Sequence, residues 1–290
     1  MWVVATLIGA LAQTGRNAAQ SGLTTRIGTV GATAVRFVFG LPFALLALVV
    51  AALFLDIPHL NPTAIGLATL GAAAQIFATA FMLITMRGQS FGVATALMKT
   101  EPVTLAIFGA SFLAEPLGLD RMGAIGIATL GVILASGARW SRTTMTPVLT
   151  GLVAGALFGL SAIGFRGAIL ALPEGGFFIR SLTALTLTLA IQAFAMLLWM
   201  AWRDKQGLRG MVEDWKISLL AGALGSFASL FWFIGFSLTS AANVRTLALV
   251  EVVFAQIMSG RFLREKVQPI QLVGMALIIA GVCWLLAVAV

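Results

Sequence analysis

The chain has little of what water-soluble proteins are rich in. Of its 290 residues only 10% are charged and 60% are apolar, against about 25% charged in globular domains. No soluble fold hides such an apolar surplus, so most of the solvent around this chain is lipid. A lone cysteine, Cys283, excludes an intramolecular disulfide and a thiolate metal cage, and a lone histidine, His59, argues against a histidine metal site. No metal and no cofactor are expected, and redox chemistry gets no support. The net charge of +8 comes from bases scattered over short loops rather than gathered on one domain. A membrane lipid surface is therefore the expected partner, and nucleic acid is not.

What is present is a series of long apolar runs. Windows of about 20 residues, the length that crosses a bilayer core, run approximately over 2–23, 31–54, 63–86, 91–112, 119–138, 147–171, 177–201, 215–237, 241–260 and 268–289. Their continuous apolarity fits helices, since barrel strands alternate over about 10 residues. The expected fold is all-α, with ten transmembrane spans. The first is interrupted by Gln13, Arg16 and Asn17 and lacks a basic leader, so it reads as a retained helix rather than a cleaved signal.

Loops after odd-numbered spans hold Arg26, Arg87, Arg139, Arg142, Arg203, Lys205, Arg209, Lys216, Arg261, Arg264 and Lys266, whereas the opposite loops hold only Arg121. Because cytoplasmic loops retain Lys and Arg, the odd loops are expected in the cytoplasm and both termini on the periplasmic side. Trp140, Trp199, Trp202 and Trp215 lie near span ends, as interfacial anchors do. The segment between Trp202 and Trp215 mixes both signs of charge and reads as a short solvated turn.

Sliding the chain against itself by 150 positions aligns Glu101 with Glu251, Phe112-Leu113 with Phe262-Leu263, Glu115 with Glu265 and Gly131 with Gly281. A slightly smaller shift aligns Gly9-Ala10-Leu11 with Gly155-Ala156-Leu157, and Arg36 with Arg180. The chain thus divides into repeats over 1–142 and 143–290, five spans each. An odd number of crossings inverts the second repeat relative to the first. Inverted repeats are the common architecture of alternating-access transporters, with the substrate near the bilayer midplane. A duplicated bundle with a purely structural or assembly role is the reading of another class.

The repeated elements carry a resemblance. Lys99-Thr100-Glu101-Pro102, then Phe112-Leu113-Ala114-Glu115 and the stretch from Gly123 to Gly131, recur as Leu249-Val250-Glu251, Phe262-Leu263-Arg264-Glu265 and Gly274 to Gly281. This pattern resembles the EamA-type transporters of the drug/metabolite transporter (DMT) superfamily, and within it most of all the bacterial aromatic amino-acid exporters of the YddG type. The resemblance implies ten helices in two inverted halves around a central cavity, placed in the bacterial inner membrane and exporting amino acids or similar small metabolites. A multidrug or organic-anion and phosphorylated-metabolite transporter of the same superfamily is the alternative. Two departures stand out: Val252 replaces Pro102 in the second half, and the loop from Asp56 to Pro62 lacks bases. Four-helix relatives couple protons through an acid in their first helix, and this first span has none.

Intramembrane charge is costly and marks candidate functional positions; Arg16, Lys99, Glu101, Arg166, Arg245 and Glu251 qualify. In a continuous helix Lys99 and Glu101 lie about 200° apart, with Thr95 one turn before Lys99. Arg245 is the repeat mate of Thr95, so the bases of spans four and nine take corresponding faces and the glutamates other faces. Lys99 and Arg245 would then clamp a carboxylate or phosphate. In phosphate-carrying relatives, basic groups of these helices contact substrate. The alternative is that either base snorkels to an interface or neutralises a glutamate. Glu101 beside Pro102 suits a kink that frees the Met98 carbonyl, with proton coupling as the functional reading.

Gln13, Asn17 and Gln75 would hydrogen-bond a zwitterionic substrate or join helices to one another. Phe77, Phe81 and Trp232, the neighbour of Phe81's mate Phe231, would wall an aromatic substrate or face lipid. Gly151, Gly155 and Gly159 form a stripe suited to close helix contact. Gly88-Gln89-Ser90-Phe91-Gly92 spells a hydrolase elbow, but no strand precedes it, and His59 lies on the opposite face about 30 Å away. No enzyme is expected.

Overall fold

The structure is a computed structural model. It describes residues 1–88, 97, 99–115, 118–135, 145–250 and 268–288, and within these the side chains of all but 14, 15, 17–25, 29, 83, 86–88 and 147. The fold is all-helical, with no strand among the described residues. Its helices are α1 (Trp2–Val38), α2 (Leu41–Ala52), α3 (Pro62–Gly88), α4 (Glu101–Leu113), α5 (Leu119–Ala135), α6 (Met145–Ala171), α7 (Phe177–Arg203), α8 (Lys205–Glu213), α9 (Trp215–Leu238), α10 (Ala241–Leu247) and α11 (Pro269–Val288). Every apolar window contains helix. Among the described residues six stretches are long and apolar enough to cross a membrane, Val30–Ala52, Pro62–Met82, Val148–Ala171, Phe177–Arg203, Trp215–Leu238 and Pro269–Val288, while Trp2–Gln13 and Glu101–Leu113 are shorter apolar helices.

Two boundaries differ from the sequence expectation. The first two spans are not separated by a loop: α1 runs on to Val38, broken only at Gly28 (φ 71°, ψ 170°). That conformation is open to glycine and strained for other residues. A Cβ at Gly28 would meet nothing within 4 Å, so the requirement is one of backbone and not of space. The segment after Arg203 is also not a bare turn. Asp204 accepts from the Gly207 N–H at 2.9 Å and starts α8, and Arg26 pairs with Asp214 at its far end, also at 2.9 Å. Trp202 and Trp215, flanking this helix, are exposed as interfacial anchors are.

The chain forms two compact units, Met1–Ala73 with Gly164–Leu238 and Ala74–Ile163 with Thr239–Val290. Neither coincides with a sequence repeat, because each takes helices from both. In the first unit α1 packs on α9 through small residues. A Cβ at Gly9 would lie 3.4 Å from Phe231 and Trp232, and one at Gly222 would lie 2.5 Å from the Phe39 backbone. Asn61 caps α3 by accepting from the Ala64 N–H at 2.7 Å, and its amide donates to the Ala171 carbonyl at 2.6 Å, joining the start of α3 to the end of α6.

In the second unit α5 and α11 pack antiparallel. A Cβ at Gly131 would lie 2.6 Å from Ile278 N and 2.7 Å from Gly274 O; one at Gly281 would lie 2.6 Å from Ala128 N and 2.8 Å from Ala124 O. Under the 150-position shift Gly274 and Ile278 are the mates of Ala124 and Ala128, and Gly281 is the mate of Gly131. The contact is therefore reciprocal, each helix presenting to its mate the surface its mate presents to it, as a two-fold contact requires. Antiparallel mates are what an inverted duplication produces. Without water to drive them together, membrane helices associate where small residues permit backbone contact, and the matching small faces here lie on opposite repeats.

Candidate functional site

The site grows from two interrupted helices of the second unit. Leu97 is helical, Lys99 and Thr100 form a turn, and α4 begins at Glu101 with buried Pro102 in its first turn. Proline is tolerated there because a first-turn N–H has no intrahelical acceptor. The Thr100 hydroxyl donates to the Leu97 carbonyl at 2.7 Å, and Thr104 Oγ1 donates to the Glu101 carbonyl at 2.8 Å. The interruption expected beside Pro102 is thus present.

Its counterpart arises without proline. Ser240 caps α10 by accepting from the Asn243 N–H at 3.3 Å, the helix stops at Leu247, and Ala248 and Leu249 form a turn. The Leu249 N–H donates to Thr246 O at 3.0 Å. Ala248 and Leu249 are the mates of Met98 and Lys99, so the two breaks match within one residue although Val252 stands in place of Pro102. Val252 itself lies outside the described residues.

Glu101 sits in the first turn of α4 and Arg245 in the last turn of α10. Arg245 Nε lies 3.2 Å from Glu101 Oε1, with side-chain exposures of 18% and 14%. Neither of these two atoms has hydrogen-bond geometry with a partner, so their contact is an ion pair rather than an aligned hydrogen bond. Each charge also complements its helix end, the carboxylate at a positive N-terminus and the guanidinium at a negative C-terminus. The expected sorting of bases and acids onto different faces does not hold for this pair. The 200° separation presumed a continuous helix, and the turn at Lys99-Thr100 resets the phase. Lys99 is half-buried in that turn.

Also in the second unit, Gln75 is buried and its carbonyl accepts from Thr79 Oγ1 at 2.8 Å. Phe81 is half-buried and Phe77 exposed. Gly151 faces Leu97 and Thr85, and Gly159 faces Thr104, so the glycine stripe of α6 runs beside the interrupted helix. Thr85 and Thr150 share a hydrogen bond of 2.9 Å.

In the first unit buried Trp232 donates from Nε1 to Gln13 Oε1 at 3.1 Å, so these two candidates meet and tie α1 to α9. Buried Arg16 and half-buried Arg36 run their stems past Gly225, whose Cβ would lie 3.3 Å from Arg16 Cδ and 3.6 Å from Arg36 Cβ. Arg166 donates from Nη1 to the Phe236 carbonyl in the last turn of α9, where free carbonyls concentrate negative potential. That carbonyl is one of the groups that accommodate an arginine inside a span.

Thr95 and Glu251 lie outside the described residues, as do Ser90 of the elbow motif, Trp140, and Phe262 through Glu265; Asn17 is described in its backbone alone. Sequence reasoning missed Asn61 and Asn243. Asn243 is 2% exposed and donates from Nδ2 to Thr239 Oγ1 at 3.0 Å. Its signal was the Ser-x-x-Asn spacing that caps a short helix. Among the described residues no group of His, Cys, Asp and Glu is placed to hold a metal ion.

A solved crystal structure, described only as that of a protein, matches with a TM-score of 0.72 at 13% identity, covering 99% of this chain and 97% of that one. At that identity the likeness shows the fold alone. No curated protein matches the sequence. The model of the EamA-like transporter family matches twice, over residues 1–137 and 145–287, once on each repeat. Matched over nearly its whole length, the chain belongs to the EamA-like transporter family and is a membrane transporter of the drug/metabolite transporter superfamily.

Proposed function

We propose that this transporter exports amino acids, aromatic ones included, or similar small metabolites by alternating access, in the manner of the YddG-type exporters it resembles. The observation that carries the reading is the Glu101–Arg245 pair, set where two interrupted helices of opposite repeats meet. Discontinuous helices whose ends face charged substrate groups are the recurrent construction of transporter binding sites. The repeats are assigned to 1–142 and 143–290. The substrate path is assigned to Gln13, Asn17, Gln75, Phe77, Phe81, Thr95, Lys99, Trp232 and Arg245, with Glu101, Pro102 and Glu251 in coupling or support. In proteoliposomes, labelled amino acids are expected to cross faster than in empty vesicles. Rates equal to empty vesicles for amino acids, with clear uptake of organic anions, phosphorylated metabolites or cationic drugs, would replace this cargo by one of those. No uptake of any solute would favour an assembly role.

The protein is assigned to the bacterial inner membrane with odd loops cytoplasmic and both termini periplasmic, on the support of the loop charge. In a Cys283→Ser background, His59→Cys is expected to react with an impermeant maleimide on intact cells and Lys205→Cys to react only after lysis. The reverse labelling would invert the orientation.

A further inference from the structure

We propose that the outward face of α8, with the two tryptophans beside it, is a binding surface for anionic phospholipid headgroups. Within the first unit α7 and α9 pack side by side, and α8 joins the end of one to the start of the other. A nine-residue helix in that place lies beyond the spans, at the membrane surface. Trp202 and Trp215 mark the level: both are exposed, with the Arg203 guanidinium 4.1 Å from the Trp202 ring centre and the Lys216 ammonium 5.8 Å from that of Trp215. Such rings favour the headgroup layer. The helix between them is two-sided. Gly207 and Met211 are buried, and a Cβ at Gly210 would collide with Ile27, the residue before the Gly28 break. The opposite face, about 60° wide at 100° per residue, carries Lys205, Arg209 and Val212, all exposed. Bases around an apolar side chain are the pattern of helices that lie in the interface.

Charge then selects the headgroup. From Arg203 to Lys216 the chain holds four bases and three acids, but two of the acids are engaged. Asp204 caps α8, and Asp214 pairs with Arg26 of α1. Among the described residues Arg203, Lys205, Arg209 and Lys216 have no acid within ion-pair distance, Glu213 included. The opposite end of this unit reverses the sign: its loops over 53–61 and 172–176 hold Asp56 and Glu174 and no Lys or Arg. A phosphodiester carrying acyl chains answers both parts of the α8 face, its charge meeting Lys205 and Arg209 and its chains meeting Val212 and the tryptophans. A soluble phosphate answers only the first.

The test is native mass spectrometry of the full-length protein in detergent, titrated with phosphatidylglycerol or with phosphatidylcholine of the same chains. A base near an anionic headgroup strengthens binding about five-fold, so through Lys205 and Arg209 the first phosphatidylglycerol is expected to bind about twenty-five-fold more tightly than phosphatidylcholine. Each of the two replaced by Gln should lower that preference about five-fold, whereas Lys205→Arg with Arg209→Lys should keep it. Bound phosphatidylglycerol should also slow amide hydrogen exchange in α8 of the wild-type protein and not in the double Gln variant. No preference in the wild-type protein would overturn the proposal, and so would a preference that the double Gln variant retains in full. Slowed exchange elsewhere with α8 unchanged would place the lipid on another face and overturn it too. Glycerol phosphate binding as tightly as the lipid would make this a site for soluble phosphates instead. A dimer formed by the wild-type protein and lost in the double Gln variant would give the face to a second copy of the chain. If the double Gln variant fails to insert, the wild-type comparison of the two lipids and glycerol phosphate, with its exchange pattern, decides alone.

Discussion

Replacing Gly131 or Gly281 with alanine is expected to destabilise the protein by about 1–3 kcal/mol each, the usual range for overpacking. The atoms a new Cβ would strike are backbone: Ile278 N at 2.6 Å and Gly274 O at 2.7 Å for Gly131, and Ala128 N at 2.6 Å and Ala124 O at 2.8 Å for Gly281. Backbone atoms of a packed helix cannot turn aside as a side chain does, so α5 and α11 must separate along their length. Since the two glycines are mates in a reciprocal contact, their losses should agree within about 0.5 kcal/mol. The double variant should lose less than the sum, because the first substitution already opens the shared interface. Gly126→Ala supplies the control on the same helix, with nothing within 4 Å of its Cβ. It is expected to be neutral or stabilising by up to about 1 kcal/mol through helix propensity. Thermal unfolding in detergent reads all four proteins. A strong effect at Gly281 with none at Gly131 would contradict the two-fold packing.

That contact also shows what could be read in the sequence and what could not. The spans were legible because lipid demands about 20 apolar residues per crossing, and the inversion because each repeat crosses five times. The pairing of α5 with α11 was not, since Gly131 and Gly281 mark close approach without naming the partner. Likewise Pro102 marked a break in the fourth span, but its consequence for direction was hidden: once the helix restarts at Glu101, the phase relating Lys99 to Glu101 no longer holds. The matching break at Ala248-Leu249 has no proline to announce it. Arg166 was legible as an intramembrane charge, whereas its acceptor, the Phe236 carbonyl, is a main-chain atom with no sequence signature. Gln13 and Trp232 were both singled out as candidates, but only packing brings them together.

The Glu101–Arg245 pair carries the other large expected effect. Removing one partner of a fully buried ion pair costs about 3–5 kcal/mol, because the remaining charge is stranded. With 18% and 14% of the side chains still exposed, and with Arg245 keeping other interactions, Glu101→Gln and Arg245→Gln are expected at or below the lower end of that range. The double variant strands neither charge, so it should be more stable than the two losses together imply, by about 1–3 kcal/mol. Strict additivity in a thermal unfolding cycle would mean the two groups are not energetically coupled. The exchanged variant, Glu101→Arg with Arg245→Glu, separates pairing from position. It restores opposite charges but puts a cation at the N-terminus of α4 and an anion at the C-terminus of α10. Each misplacement costs about 0.3–1 kcal/mol near a helix end. Exchange is therefore expected to recover part of the stability and not all of it. Full recovery would show that attraction between the side chains alone accounts for the pair, with no contribution from the two helix breaks that hold it.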